Sequence, residues 1–171
     1  MHLEMQDMGS RTITEGVSEG RLDIGFVRMP VTDVSIESMV VLREEIQIVV
    51  PVTRKPGPVK LKDLRDDPFV LIARSTSETF QTHALNLCLS SGFRANVVQE
   101  AKEMFTLINL VRAGLGVSLV PSAARKMRIP GVRFYPIKTP GAKWEIAMIW
   151  RRDRRVVVQP FVKLVQAVVK A

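Results

Sequence analysis

Short runs rich in β-branched residues alternate with apolar stripes at helical spacing along this chain, and that alternation constrains its fold more than any other feature. The strand-like runs are Leu3–Gln6, Leu22–Val27, Ser38–Leu42, Ile46–Pro51, Phe69–Ala73, Asn96–Glu100, Val117–Val120, Val132–Pro136 and Glu145–Trp150. The spacing between them predicts helices over Ser10–Glu19, Glu78–Ser90 and Met104–Ala113, and a last one from about Gln159 to Lys170 with Pro160 in its first turn. In the first helix Ile13 and Val17 share a face, Thr12 and Glu15 have capping-box potential, and Gly20 suits the left-handed position past the end. Phe80, Ala84, Leu87 and Cys88 form one apolar stripe, and Met104, Leu107, Ile108 and Val111 another, as in helices packed on a sheet. The fold class is α/β.

The order is an incomplete α/β unit, a complete one, and a return of strands and a helix. The proline- and glycine-rich stretch 52–60 is the expected first crossover. The tail most simply returns to the first unit. Residues 1–51 with 131–171 are therefore expected to form one subdomain and residues 52–130 the other, with a cleft between them. Parallel strands bind ligands outside their carboxyl ends, where free backbone N–H groups at helix amino termini can hold an anion, so the cleft is where a ligand is expected.

A chain of 171 residues with 46% hydrophobic content can bury one sizeable core or two small ones. Charged residues interrupt every long apolar run well short of the roughly 18 residues that a membrane helix needs, so no membrane partner is expected. The start, Met1-His2-Leu3-Glu4-Met5, lacks the basic and then apolar pattern of a secretory signal. The single cysteine, Cys88, cannot form an internal disulfide and fits a reducing cytoplasm. A net charge of +8 would by itself suggest a nucleic-acid partner, yet acidic residues outnumber basic ones over 1–51 and the excess lies beyond. Its densest cluster, Arg151-Arg152-Asp153-Arg154-Arg155, has no interleaved aromatics or glycines, and a solvated connection is favoured over a nucleic-acid patch.

Signals of catalysis are sparse. With His2, His83 and one cysteine, no metal-spaced cluster or Cys–His pair has a credible constellation, and no cofactor is expected. Cys88 sits in an apolar stripe and reads as a buried structural thiol, and His83 as a surface or partly buried histidine. Gly114-Leu115-Gly116 follows a helix rather than a strand, which is the wrong context for a dinucleotide fingerprint, and reads as helix termination. Glu100 and Glu103, between a strand and a helix, could serve acid–base chemistry, but one of them capping that helix is the favoured reading.

Four segments together resemble one family, the effector-binding domains of LysR-type transcriptional regulators. The first runs through Met8-Gly9-Ser10 to Glu19-Gly20-Arg21-Leu22-Asp23-Ile24-Gly25-Phe26-Val27-Arg28. The second is Leu61-Lys62-Asp63-Leu64 followed by Asp67-Pro68-Phe69-Val70-Leu71, and the fourth Ile149-Trp150-Arg151-Arg152-Asp153. The third is the most specific: Leu110-Val111-Arg112-Ala113-Gly114-Leu115-Gly116-Val117-Ser118-Leu119-Val120-Pro121. Gln99-Glu100-Ala101-Lys102-Glu103-Met104 looks most like the branch that senses aromatic-degradation intermediates such as benzoate or muconate derivatives.

The resemblance implies two periplasmic-binding-protein-like (Rossmann-like) subdomains and a non-enzymatic sensor whose effector, a small organic carboxylate, sits in the interdomain cleft. It implies a homodimer or homotetramer that touches DNA only through a helix-turn-helix domain, which this chain is expected to lack. The first subdomain is expected to be truncated at its amino end, without the family's first strand and helix. Matching the family's effector site are Ser10, the loop Ser75-Thr76-Ser77 leading to Phe80, and the strand end Glu100-Ala101, with Arg28 as charge partner. Each has a plainer reading as well: Ser10 and Ser77 as helix caps, Phe80 as core, and Arg28 paired with a nearby acid. The alternatives in function are a periplasmic-type solute-binding module, which would need a secretion signal, and a small α/β enzyme using Glu100 or Glu103.

Overall fold

The computed structural model describes residues 3–139 and 141–170, so His2 lies outside the described residues. The elements in order are α1 (Ser10–Ser18), β1 (Ile24–Arg28), β2 (Ile36–Pro51), β3 (Pro68–Ile72), α2 (Arg74–Ser90), β4 (Asn96–Ala101), α3 (Met104–Arg112), β5 (Ser118–Pro121), β6 (Val132–Pro136), β7 (Lys143–Arg151) and α4 (Arg155–Lys170), with short 3-10 turns at Leu61–Leu64, Ser122–Met127 and Arg152–Arg154. Two compact units result, Met1–Arg43 with Glu145–Ala171, and Glu44–Trp144. The chain passes between them inside β2 and inside β7.

In the first unit β1 pairs antiparallel with β7, from Ile24 opposite Trp150 to Arg28 opposite Ile146. Alternation along a strand sends successive side chains to opposite faces, and β7 uses both. Ala147 and Ile149 join Val17, Val27 and Ile36 in a core that Ile13 and Leu22 complete. Met148 and Trp150 join Val158 and Val162 of α4 on the other. Gly25 lets α1 lie close on β1, since a Cβ there would stand 2.2 Å from Ile13 Cγ2. The end of α1 is tied down by Asp33, whose Oδ2 accepts from Ser18 Oγ (2.6 Å) while Oδ1 accepts from the Ser35 N–H (2.8 Å) and hydroxyl (2.6 Å). Those bonds, the one from Ser18 first, hold the Asp33 carboxyl below its usual range.

In the second unit Ile46, Ile48, Val49 and Val50 of β2 are almost wholly buried. This half of β2 pairs antiparallel with β5 and with β6. β3 runs parallel to β4 and is bonded to the segment before β5 through Val70 N–H to Val117 O (2.9 Å) and Val117 N–H to Pro68 O (2.8 Å). The predicted stripes of α2 and α3 are core except at Met104, which is half-buried: Phe80, Ala84, Leu87, Cys88, Leu107, Ile108 and Val111 are buried.

Several expectations are corrected. Leu3–Gln6 is not a strand: its side chains are exposed and nothing among the described residues pairs with it, and an unpaired strand has no ladder to hold it. The runs 38–42 and 46–51 are parts of one strand, because Arg43-Glu44-Glu45 does not break the ladder; Arg43 Nε instead meets Glu145 Oε1 on β7 at 2.9 Å. The crossovers therefore fall at 43/44 and 144/145 rather than at 51/52 and 130/131, and 52–60 is a connection within the second unit, where Arg54 grips Asp67 with two bonds of 2.8 Å. α1 starts at Ser10 with Gly9 as its N-cap, so Thr12 and Glu15 form no capping box, and Glu15 pairs with Arg11 at 3.0 Å. α4 begins at Arg155, which places Pro160 inside the helix and removes the N–H that would bond the carbonyl of Val156, a residue 86% exposed.

Gly114 and Gly116 also differ in their work. Gly114 takes φ +84° past the end of α3, as helix termination requires. Gly116 is there for space, since a Cβ would stand 2.3 Å from the Pro68 carbonyl oxygen, a backbone atom fixed by the Val117 bond. Gly116→Ala should therefore lower stability by about 1–3 kcal/mol. Gly9→Ala, where a Cβ meets nothing within 4 Å and the only cost is a poorer N-cap for α1, should lower it by no more than about 1 kcal/mol. Urea denaturation of the two variants beside the parent chain checks the difference.

Candidate functional site

The first unit contributes Ser10 and Arg28. Because Gly9 is the N-cap, the Ser10 hydroxyl does not cap α1; its Oγ accepts the backbone N–H of Arg28 at 3.3 Å and so joins the start of α1 to the end of β1. The Ser10 carbonyl accepts Thr14 Oγ1–H at 2.8 Å. Ser10 and Arg28 line a cavity of about 620 Å³, with Met8, Ile13, Phe26 and Phe161 among its apolar walls. Arg21 and the carboxylates Glu4, Asp7 and Asp23 line it as well, so cationic, anionic, hydroxyl and apolar groups share one concave surface.

The remaining candidates lie within the second unit, at the carboxyl ends of its two parallel strands. α2 begins at Arg74, earlier than the predicted Glu78, but Ser77 (φ −152°, ψ 84°) interrupts it, so Ser75 and Thr76 form a first turn kinked away from the body of the helix. The N–H groups of Thr76 and Ser77 both reach the Ala73 carbonyl, at 2.9 and 3.0 Å. These two donors are not the free ones expected at a helix start, and the hydroxyls become the groups on offer. Ser75 and Thr76 are exposed and Ser77 half-buried. Ala73 is the N-cap of the first turn, while Ser77, extended at the break, stands directly before the helix body, in the cap position read for it in the sequence. Phe80 is 2% exposed, its ring edge-on to Trp144 at 5.0 Å, so it supports the loop from the core. His83 is half-buried against the same Trp144, with Nε2 2.8 Å from the Gly141 carbonyl.

At the end of β4, Ala101 is buried and its carbonyl accepts the Ala73 N–H at 2.8 Å. Glu100 is exposed, and Oε1 accepts Gln81 Nε2–H at 2.5 Å. Neither Glu100 nor Glu103 caps α3; Glu103 occupies the N-cap position without a side-chain bond. Gln81, missed in the sequence, is 6% exposed and also donates to the Ile72 carbonyl at 3.0 Å. Its signal was there to find: it stands three residues before Ala84 and seven before Cys88, an amide on the buried face of a helix. Among the described residues no His, Cys, Asp and Glu cluster could hold a metal ion, and no helix is long and apolar enough to cross a membrane.

Two α/β units built on a chain that crosses between them twice define the periplasmic-binding-protein-like class, and solved structures agree. The effector-binding domain of BenM with its effector benzoate is 29% identical, covers 87% of this chain and 69% of its own, and superposes with a TM-score of 0.77. Full-length CbnR complexed with target DNA, 23% identical over 96% of this chain and 59% of its own, shares the fold with a TM-score of 0.82. The LysR substrate binding domain matches residues 1–170, and the chain belongs to that family. Curated relatives include the HTH-type transcriptional regulator BenM of Acinetobacter baylyi (strain ATCC 33305 / BD413 / ADP1), 29% identical over 83% of this chain and 48% of that protein. Another is the uncharacterized HTH-type regulator YwbI of Bacillus subtilis (strain 168), 30% identical over 88% of this chain and 51% of that protein. The chain spans about half the length of these relatives. The family is one of regulators, not enzymes.

Cys88 does not serve as a nucleophile in this setting. It is 1% exposed, and burial pushes its thiol from an ordinary 9 up to about 12. Below pH 9 folded and unfolded chains both hold this proton; above it the unfolded chain loses the proton first. Stability from Cys88 is thus fully present below pH 9 and declines as pH rises from 9 towards about 12. Iodoacetamide at pH 8 is expected to leave the native chain unlabelled and to label it rapidly in urea. The Cys88→Ala variant should show a shallower loss of stability above pH 9 than the parent.

Proposed function

We propose that the chain is the effector-sensing and oligomerisation part of a cytoplasmic LysR-type transcriptional regulator, and that its effector is a small organic carboxylate, aromatic or unsaturated. The observation that carries this reading is the cavity of about 620 Å³ in which Ser10 and Arg28 meet apolar walls. That volume lies within the roughly 300–1,000 Å³ of small-molecule sites. A guanidinium and a hydroxyl match a carboxylate, while Ile13, Phe26 and Phe161 match a ring or an unsaturated chain. In the second unit, the residues assigned to effector binding are the exposed Ser75 and Thr76 with Ser77, backed by Phe80, and the strand end Glu100–Ala101; none of them lines that cavity. The benzoate held by the BenM domain, from a relative 29% identical, supports the ligand class.

Self-association as a homodimer or homotetramer belongs to the same proposal. β4 supports it, because Val97 and Val98 lie exposed along a strand paired on one side only among the described residues, with Phe105 of α3 59% exposed nearby in sequence. On this reading DNA contact belongs to a helix-turn-helix domain rather than to these residues.

Calorimetry with benzoate and cis,cis-muconate tests the ligand. Ser10→Ala and Thr76→Ala should each weaken binding about tenfold, the loss of one hydrogen bond to a charged group; Thr76→Ala should leave stability little changed, and Ser10→Ala, which also takes the acceptor from the Arg28 N–H, should cost about 1 kcal/mol. Variants that bind as tightly as the parent would show the assigned residues to be wrong. A DNA titration tests the other half: residues 1–171 alone should bind only weakly, with an affinity that falls steeply with salt and does not depend on sequence. Tight, sequence-selective binding at physiological salt would refute it.

A further inference from the structure

One buried amide ties together the carboxyl ends of both parallel strands in the second unit. Gln81, 6% exposed on α2, donates through Nε2 to the carbonyl of Ile72, the last residue of β3, at 3.0 Å. The same nitrogen donates to Oε1 of Glu100, the penultimate residue of β4, at 2.5 Å. The Ala73 N–H to Ala101 carbonyl bond, 2.8 Å, runs beside this link and leads directly into the Ser75-Thr76-Ser77 turn. Glu100 is otherwise exposed, so its carboxylate has room to swing once this bond is gone. An ionised carboxylate only accepts hydrogen bonds. A released Glu100 and an effector carboxylate would compete for the same hydroxyl donors and repel each other.

We infer that Gln81 is a positioning residue for effector selectivity: it holds Glu100 against the strand ends and so keeps that charge off the Ser75 and Thr76 hydroxyls. The inference rests on the carboxylate reading proposed above. It separates two properties that a purely structural glutamine would not, affinity for a charged ligand and affinity for its neutral counterpart.

Benzoate and its uncharged isostere benzamide are the probes, titrated by calorimetry into the parent, Gln81→Leu, Glu100→Gln and the double variant. Gln81→Leu should weaken benzoate about tenfold or more and benzamide less than about twofold, because only the anion meets the released charge. Adding Glu100→Gln removes the charge and should return benzoate to within about threefold of the parent. NMR of the Gln81 side chain supplies a readout free of ligand: its amide protons should exchange slowly in the parent and in Glu100→Gln, which keeps an acceptor oxygen. Equal losses for both probes in Gln81→Leu, or no recovery in the double variant, would overturn the positioning role while leaving the carboxylate reading intact. Fast exchange of the Gln81 amide in the folded parent would overturn it as well. A parent that binds neither probe while that amide stays protected would overturn the carboxylate reading and the selectivity role together.

Discussion

The antiparallel pairing of β1 with β7 is the interaction on which the first unit depends. β1 has five residues, with α1 before it, and its partner arrives from more than a hundred residues further along the chain. The ladder sets a register in which Ala147 and Ile149 face α1 while Met148 and Trp150 face α4. A slip of one residue would exchange these faces and bury the wrong set. The position of Ser10 against Arg28 is a consequence, because Arg28 is the last paired residue of β1 and its own N–H reaches the Ser10 hydroxyl.

The candidate residues of the second unit depend on a different device. β3 and β4 run parallel, and parallel strands bring two carboxyl ends to one side of a sheet. There the backbone closes on itself: Ala73 serves Ala101, while Thr76 and Ser77 serve Ala73. What remains for a ligand is mostly side-chain chemistry, hydroxyls and one carboxylate. The kink at Ser77 permits this, since it sets the turn at 74–76 apart from a helix whose body is anchored through Phe80 and Ala84.

Much of this was legible in the sequence. The stripes of α2 and α3 were read residue by residue because helical spacing is a local property, and the burial of Cys88 follows from its place in one of them. Arg43-Glu44-Glu45 was misread as a break because three adjacent charges look like a loop, whereas a strand with a solvent face carries them easily once Glu145 stands opposite Arg43. Strand direction was beyond reach. The sequence suggested a mostly parallel sheet, but among the described residues β3–β4 and the Phe69–Val117 bridge are parallel while β1–β7, β2–β5 and β2–β6 are antiparallel. Ser10, Ser75 and Glu100 were assigned by resemblance alone, and Gln81 was not singled out, because its partners are brought to it by tertiary structure.

The interleaving of the two units along the chain has a consequence for the order of synthesis. Every residue of the second unit, 44–144, leaves the ribosome before Glu145 does, and its strands and helices can consolidate while translation continues. Residues 3–43 cannot follow, because β1 has no ladder until β7 is made and the apolar surface of α1 has only part of its core. The unit whose strands begin to be made first is therefore finished last. During that interval Val17, Val27 and Ile36 are exposed to whatever nascent chain or chaperone is close by.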